Sequence, residues 1–354
     1  MYYTEESDRI LWADWIKVFA VIAVAIIHVC GSYLEEDLLF SFNWYVAIIF
    51  ESFCRYAVVF FVMISGFLIL RKPEPITNVP RRFKRIVVPF VFWMFVYAVF
   101  YYFLVDKNPL NIVGFITYFI NGFLDPTSVC LLFWFVYMIL GLYILAPILS
   151  KWIQNAKTFE IEYFLIIWAI VMMIHFSGIH TIIYDYLRYF SGAVGYFVLG
   201  YYLTIKDSKY LRSRKFGFLL FIIGSLIGII GSIVVPMYTG AQTFMFMSVG
   251  DITPNACLQA IGLFIIIKNT NFNKLSDRTN SLAVLISLES YGFYLSHLLV
   301  IGVLKKLSIF SIENNALITI PIFAIVVFIA TNMMIYIMSK IPFFKRFTGF
   351  KSIL

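Results

Sequence analysis

Apolar residues fill the chain in runs of about twenty, broken by short polar stretches, and the runs recur from end to end. A helix needs about 20 such residues to cross a hydrocarbon core about 30 Å thick. The runs lie at roughly 14–33, 44–70, 86–105, 131–149, 161–178, 189–205, 216–236, 244–267, 283–304 and 316–339, which predicts ten membrane-spanning helices. The eighth is interrupted by Asp251, Pro254 and Asn255 and reads as broken or partly re-entrant. Helices satisfy their own backbone groups within lipid, and the chain lacks the alternating pattern of barrel strands. The expected fold class is therefore all-α: a polytopic membrane protein forming a single integral membrane domain over residues 1–354. No linker, low-complexity tail or internal repeat stands out.

Composition sharpens this picture. Hydrophobic residues make up 62 % of the chain, charged residues 13 %, and the mean hydropathy is +0.91. Soluble domains are about half apolar and about a quarter charged, so a soluble core is excluded. The first apolar run follows an acidic start (Glu5, Glu6, Asp8) and is too long for a cleavable signal core, so none is expected. The four cysteines (Cys30, Cys54, Cys130, Cys257) have no paired spacing and predict neither a disulfide framework nor a metal site.

The net charge of +8 reads as loop charge rather than as a nucleic-acid surface. Segment 71–85 holds six Lys and Arg, 206–215 five, 268–280 three, 151–160 two and the tail from Lys340 four. With ten spans these all fall on one side. The opposite loops hold only Lys107, Arg188, Lys305 and Lys306, and the 31–43 loop carries Glu35, Glu36 and Asp37. Positive loops face the cytoplasm, so both termini are expected inside a plasma or inner membrane.

Ionisable residues within spans are the candidate chemistry, because charge in lipid is costly and default function attaches to it. In the first span Asp14, Lys17 and His28 share a face: Lys17 and His28 are eleven residues apart, close to three helical turns. At about 1.5 Å per residue His28 sits roughly 20 Å above the start of the span, past mid-membrane. It reads either as a histidine satisfied by a neighbouring helix or as a functional group. In the second span Glu51 and Arg55 are i and i+4, acid first, the favourable order for an intrahelical pair. Such a pair either orients the helix or lines a polar cavity. Ser65 in FFVMISGF lacks a nucleophile elbow and suits close helix packing.

The run RRFKR (81–85) either anchors topology or binds phosphate, since Arg forks match phosphate oxygens and the run opens a helix. Glu289 and His297 lie in YGFYLSHLL and its approach, with His297 below the middle of the ninth span. His175 and His180 sit at the outer end of the fifth span and read as interfacial. No set of residues has metal-ligand spacing.

The chain resembles the acyltransferase-3 family of integral membrane acyltransferases. The matching stretches are D-x-x-K-x10-H at Asp14, Lys17 and His28, then FFVMISGFLI (60–69), RRFKRIVVPF (81–90), FWFVYMILGLYILAPIL (133–149) and ESYGFYLSHLL (289–299). They stand in the family's order and span nearly the whole chain. The chain departs from the family at Lys17, where Arg is usual, at Val59, where many members have Pro, and at Leu132, where many have His. Within the family it looks most like the branch that O-acetylates surface polysaccharides such as enterobacterial common antigen.

The resemblance implies transfer of an acyl group, acetyl first, from cytoplasmic acetyl-CoA or another acyl-CoA to a hydroxyl of a cell-surface polysaccharide or its lipid-linked precursor. No permanently bound cofactor is implied. Under it Arg81, Arg82 and Arg85, with Lys17, hold the donor phosphates. His28 is the base or acyl carrier. Arg55, held by Glu51, stabilises the oxyanion, and Asp14 and His297 support the site. The implied partners are the acyl-CoA, the glycan or lipid-linked sugar acceptor, the bilayer and polysaccharide-biosynthesis proteins. The rival expectation is a multi-pass transporter or flippase, with Glu51, Arg55, His28 and Asp251 forming its path.

Overall fold

The computed structural model describes residues 9–35, 38–176, 192–239, 253–310 and 314–349. His180, Arg188, Asp251, Glu36, Asp37 and the acidic start (Glu5, Glu6, Asp8) lie outside the described residues. The described residues form helices and no strand. In chain order they are α1 (Leu11–Cys30), α2 (Phe42–Ser52), α3 (Tyr56–Leu70), α4 (Val79–Val99), α5 (Ile112–Leu124), α6 (Trp134–Asn155) and α7 (Thr158–Phe176). They continue as α8 (Ala193–Ile205), α9 (Arg214–Thr239), α10 (Pro254–Lys268), α11 (Asp277–Lys306) and α12 (Ala316–Lys340), followed by a short turn of helix at Pro342–Lys345.

Eight helical segments among the described residues are long and apolar enough to cross a membrane, and Ile112–Leu124, Ala193–Ile205 and Pro254–Lys268 are shorter apolar helices. Every run read from the sequence coincides with one of these. The eighth run yields only α10, which starts at Pro254 with Thr253 as its N-cap. α5 was not anticipated. At about 1.5 Å per residue its 13 residues fall short of a full crossing, and a short apolar stretch between two long ones is absorbed into the loop when only run length is scored.

Local signals fix several helix starts. Ser41 accepts a hydrogen bond from the Trp44 amide at 3.2 Å, Ser276 from Thr279 at 3.2 Å and Asn315 from Leu317 at 2.9 Å. Each side chain satisfies one of the amides a helix start leaves open.

α1 lies at the centre of the bundle and packs against α2, α3, α10, α11 and α12. Its buried residues, from Ala13 and Ile16 to Val29 and Cys30, come from nearly all sides of the helix. This is the pattern of a helix surrounded by others rather than facing lipid. At its start Asp14 accepts hydrogen bonds from Nε and Nη2 of Arg9, at 2.8 and 2.9 Å, and from the hydroxyl of Ser287 on α11. Trp15 stacks on Phe272, centroids 5.0 Å apart, and donates to Asn280 at 3.3 Å. α1 is thereby fastened to the start of α11.

α3 and α8 approach backbone to backbone. A Cβ added at Gly66 would lie 1.8 Å from the Phe197 carbonyl oxygen, and one at Gly200 would lie 2.0 Å from that of Met63. In lipid, where apolar burial between helices gains little, small residues permit such contact. Ser65-Gly66 thus belongs to a packing motif, although Ser65 itself also faces a cavity.

The second run is not one helix. It breaks at residues 53–55 into α2 and α3, which shifts local bonding to Cys54 N–H on Glu51 C=O and Ala57 N–H on Cys54 C=O, at 2.9 and 3.1 Å. The Ser52 carbonyl freed by the break accepts the amide of Gln259 from α10, which also donates to Ser225 at 2.9 Å. Irregular backbone at this depth needs such replacement partners. Three helices therefore cooperate to hold the turn that carries Arg55.

Candidate active site

The site has two parts. The first is a cavity of about 320 Å³ between α1, α3, α4, α6 and α11. Lys17, Arg71, Arg82 and Arg85 stand around one end of it, the end where α3 finishes and α4 begins. Tyr143, Tyr291 and Ser290 line its middle, and Phe61, Phe135 and Tyr294 close the other end. The rings of Phe135 and Tyr294 are 4.9 Å apart, and Phe61 lies 6.3 and 6.4 Å from the two. The Tyr294 hydroxyl is held by the Leu132 carbonyl, and the Tyr291 hydroxyl by that of Ile86 at 2.9 Å. Both tyrosines thus present ring faces, rather than free hydroxyls, along the wall.

The second part lies one ring beyond that wall. His297 on α11 is 6.2 Å from Tyr294 by ring centroids, and its ring is 5.1 Å from that of His28 on α1. His297 is fully buried (0 % exposed) and lies parallel to Phe293, 5.4 Å away. His28 is half-buried. Arg55 and His297 are both close enough to His28 to act on it electrostatically. Arg55 donates to Glu51, and the two side chains are 3 % and 4 % exposed. A guanidinium this deep is tolerable only when paired. The break at residues 53–55 makes it the N-cap residue of α3.

The two histidines stand 269 positions apart in sequence and meet because α1 packs along α11. Neither lines the cavity. Tyr294 of the cavity lining is the ring that adjoins His297.

The basic run divides. Arg82 and Arg85 line the cavity and Arg81, which is exposed, does not. Arg82 is also engaged by Glu74 through two bonds of 2.8 Å and lies over the Tyr143 ring at 5.8 Å. The fork of Arg82 holds the Glu74 carboxyl below its ordinary range, with burial opposing. Lys17 lines the cavity, whereas Asp14, a few residues earlier on the same helix, is buried in its clamp with Arg9 and Ser287. His175 is exposed at the end of α7, away from both parts.

Sequence reasoning missed Arg71, Tyr143, Tyr291 and Tyr294 as lining residues. Arg71 had a signal, since it belongs to the same basic segment. The tyrosines lie inside the family-matching stretches 133–149 and 289–299, but in a chain with 23 of them nothing in the spacing says which rings face inward. Among the described residues no group of His, Cys, Asp and Glu is placed to hold a metal ion.

These features define a class: an all-α membrane protein with an intramembrane chamber that is basic at one end and backed by buried ionisable groups. The sequence model of the acyltransferase domain, Acyl_transf_3, matches residues 10–337, so nearly the whole chain is covered, and the chain belongs to the acyltransferase-3 family. It is a membrane acyltransferase. No curated protein and no solved structure matches it.

Proposed function

We propose that the enzyme moves an acetyl group from acetyl-CoA, bound from the cytoplasmic side, to a hydroxyl of a cell-surface polysaccharide or its lipid-linked precursor. The observation that carries this reading is the cavity itself. Its mouth gathers Lys17, Arg71, Arg82 and Arg85, and its far end stops one ring short of His297 and His28. A nucleotide-bearing thioester has that polarity: several phosphates at one end and a small reacting acyl group at the other. Arg forks suit the phosphates, and the apolar, tyrosine-lined middle suits a slender chain.

The chemistry then follows from the second part of the site. His28 takes the proton of the acceptor hydroxyl as its oxygen adds to the thioester carbonyl. Arg55, oriented by Glu51, faces the negative charge that develops on the carbonyl oxygen. The C–S bond breaks and the proton on His28 passes to the departing thiolate. The products are the ester and free CoA thiol, so no external oxidant, reductant or metal enters the balance. The aromatic trio of Phe61, Phe135 and Tyr294 must part for the thioester to reach His28, and it shields the intermediate from water until then.

The test is incubation of the purified protein in lipid nanodiscs with radiolabelled acetyl-CoA and glycan-bearing membrane extract. Label on an alkali-labile glycan ester supports the reading. Label that stays on CoA, with glycan moved across the bilayer in proteoliposomes, would favour the transporter instead.

A further inference from the structure

His297 carries a feature that the proposed chemistry leaves unused. Its Nδ1 lies 3.0 Å from the Phe293 carbonyl oxygen. A carbonyl only accepts, so Nδ1 must carry the proton, and Nε2 is left as a bare acceptor. That Nε2 is buried and has no hydrogen-bond partner among the described residues. Unsatisfied acceptors in a buried site are costly, and stacking against Phe293 fixes the plane in which this one points.

The other imidazole stands nearby. A hydrogen bond between ring nitrogens spans about 2.9 Å, and each nitrogen lies ~1.1 Å from its ring centre, so two imidazoles so joined have centres about 5 Å apart. The rings of His28 and His297 are 5.1 Å apart and tilted by 46°. The spacing therefore fits such a bond. At this spacing an open bond means that the two nitrogens do not face one another, so the His28 ring turns to bring its N–H onto Nε2 when reactants are in place. The two environments also differ. His297 is enclosed on all sides, whereas His28 keeps part of its surface open.

We propose that His297 is a positioning residue: its Nε2 accepts the N–H of His28, so that the other nitrogen of His28 is the bare one presented to the acceptor hydroxyl. The proton order then runs from Phe293 C=O to the Nδ1–H of His297, from its Nε2 to the N–H of His28, and ends on one basic nitrogen. Without His297 the neutral imidazole of His28 would divide between two tautomers and two ring orientations, and only one serves as base. The inference rests on the proposed role of His28.

The experiment uses three variants of the full chain, His297→Ala, His297→Gln and His297→Asn, in nanodiscs with acetyl-CoA and acceptor. Gln places its carbonyl oxygen near the position of Nε2, whereas Asn reaches only as far as Nδ1. His297→Ala is expected to lower kcat by about 10²–10³-fold, with KM for acetyl-CoA within about 2-fold. His297→Gln should recover at least ~10-fold of that loss and His297→Asn none. Equal recovery by Asn and Gln, or a kcat for the alanine variant within ~3-fold of wild type, overturns the proposal. If the alanine variant does not fold, the Gln and Asn variants alone decide. The role of His28 fails separately: a His28→Ala protein that still turns over removes that reading whatever the His297 series does.

Discussion

Replacing Glu51 by Ala while keeping Arg55 tests how the interior of the bundle is held together. Both side chains are almost completely buried, at 4 % and 3 % exposure, and Arg55 donates to Glu51. The substitution strips a buried guanidinium of its carboxylate. Breaking a buried pair from one side costs about 3–5 kcal/mol, whereas replacing both members by apolar residues of similar volume is close to neutral. A chain of 354 residues has an unfolding entropy of about 0.74 kcal/mol/K, so the single variant should melt roughly 4–7 °C lower. The double variant Glu51→Leu, Arg55→Met should recover most of that loss. The assay is thermal unfolding in detergent followed by size-exclusion chromatography. Activity should separate from stability: the double variant folds but loses about 10²–10³-fold in kcat, the scale seen when an oxyanion donor is removed. A Glu51→Ala protein that melts with wild type would refute the claim that Arg55 depends on this carboxylate in a dry interior.

Other outcomes follow from the same structure. Arg85→Ala should raise KM for acetyl-CoA about tenfold, and Arg81→Ala, which leaves the cavity wall intact, should leave KM unchanged; steady-state kinetics in nanodiscs read both. Gly66→Leu should destabilise by at least about 1–3 kcal/mol, because α3 must move off the Phe197 carbonyl; loss of a monodisperse elution peak is the readout. Glu74 titrates below its ordinary range in the folded protein, so its pairing with Arg82 adds stability above about pH 4.3 and loses it as pH falls through the lowered value. The gap in melting temperature between wild type and Glu74→Gln should therefore close on acidification, and a gap that widens would contradict the pairing.

Run length carried the helical architecture, because every crossing needs its own apolar stretch. The i,i+4 pairing of Glu51 with Arg55 was legible for the same reason: it is local. What escaped depends on contacts between distant segments. The break at residues 53–55 has no Pro or Gly to announce it, and it is held by Gln259 from a helix two hundred positions away. The basic run RRFKR could not reveal that Glu74 occupies Arg82 or that Arg81 is exposed and outside the cavity lining. The face shared by Asp14, Lys17 and His28 was read correctly as a stripe, yet its three members serve different neighbours: a clamp, a cavity and a second histidine. Helical periodicity places side chains on a face; only packing says what that face meets.

The most direct measurement is acetyl transfer by His28→Ala protein compared with wild type, at equal amounts of folded protein in nanodiscs. Labelled acetyl-CoA should be consumed by the wild type and left intact by the variant, with matching melting temperatures. Transfer by the variant at the wild-type rate would contradict the role proposed for His28.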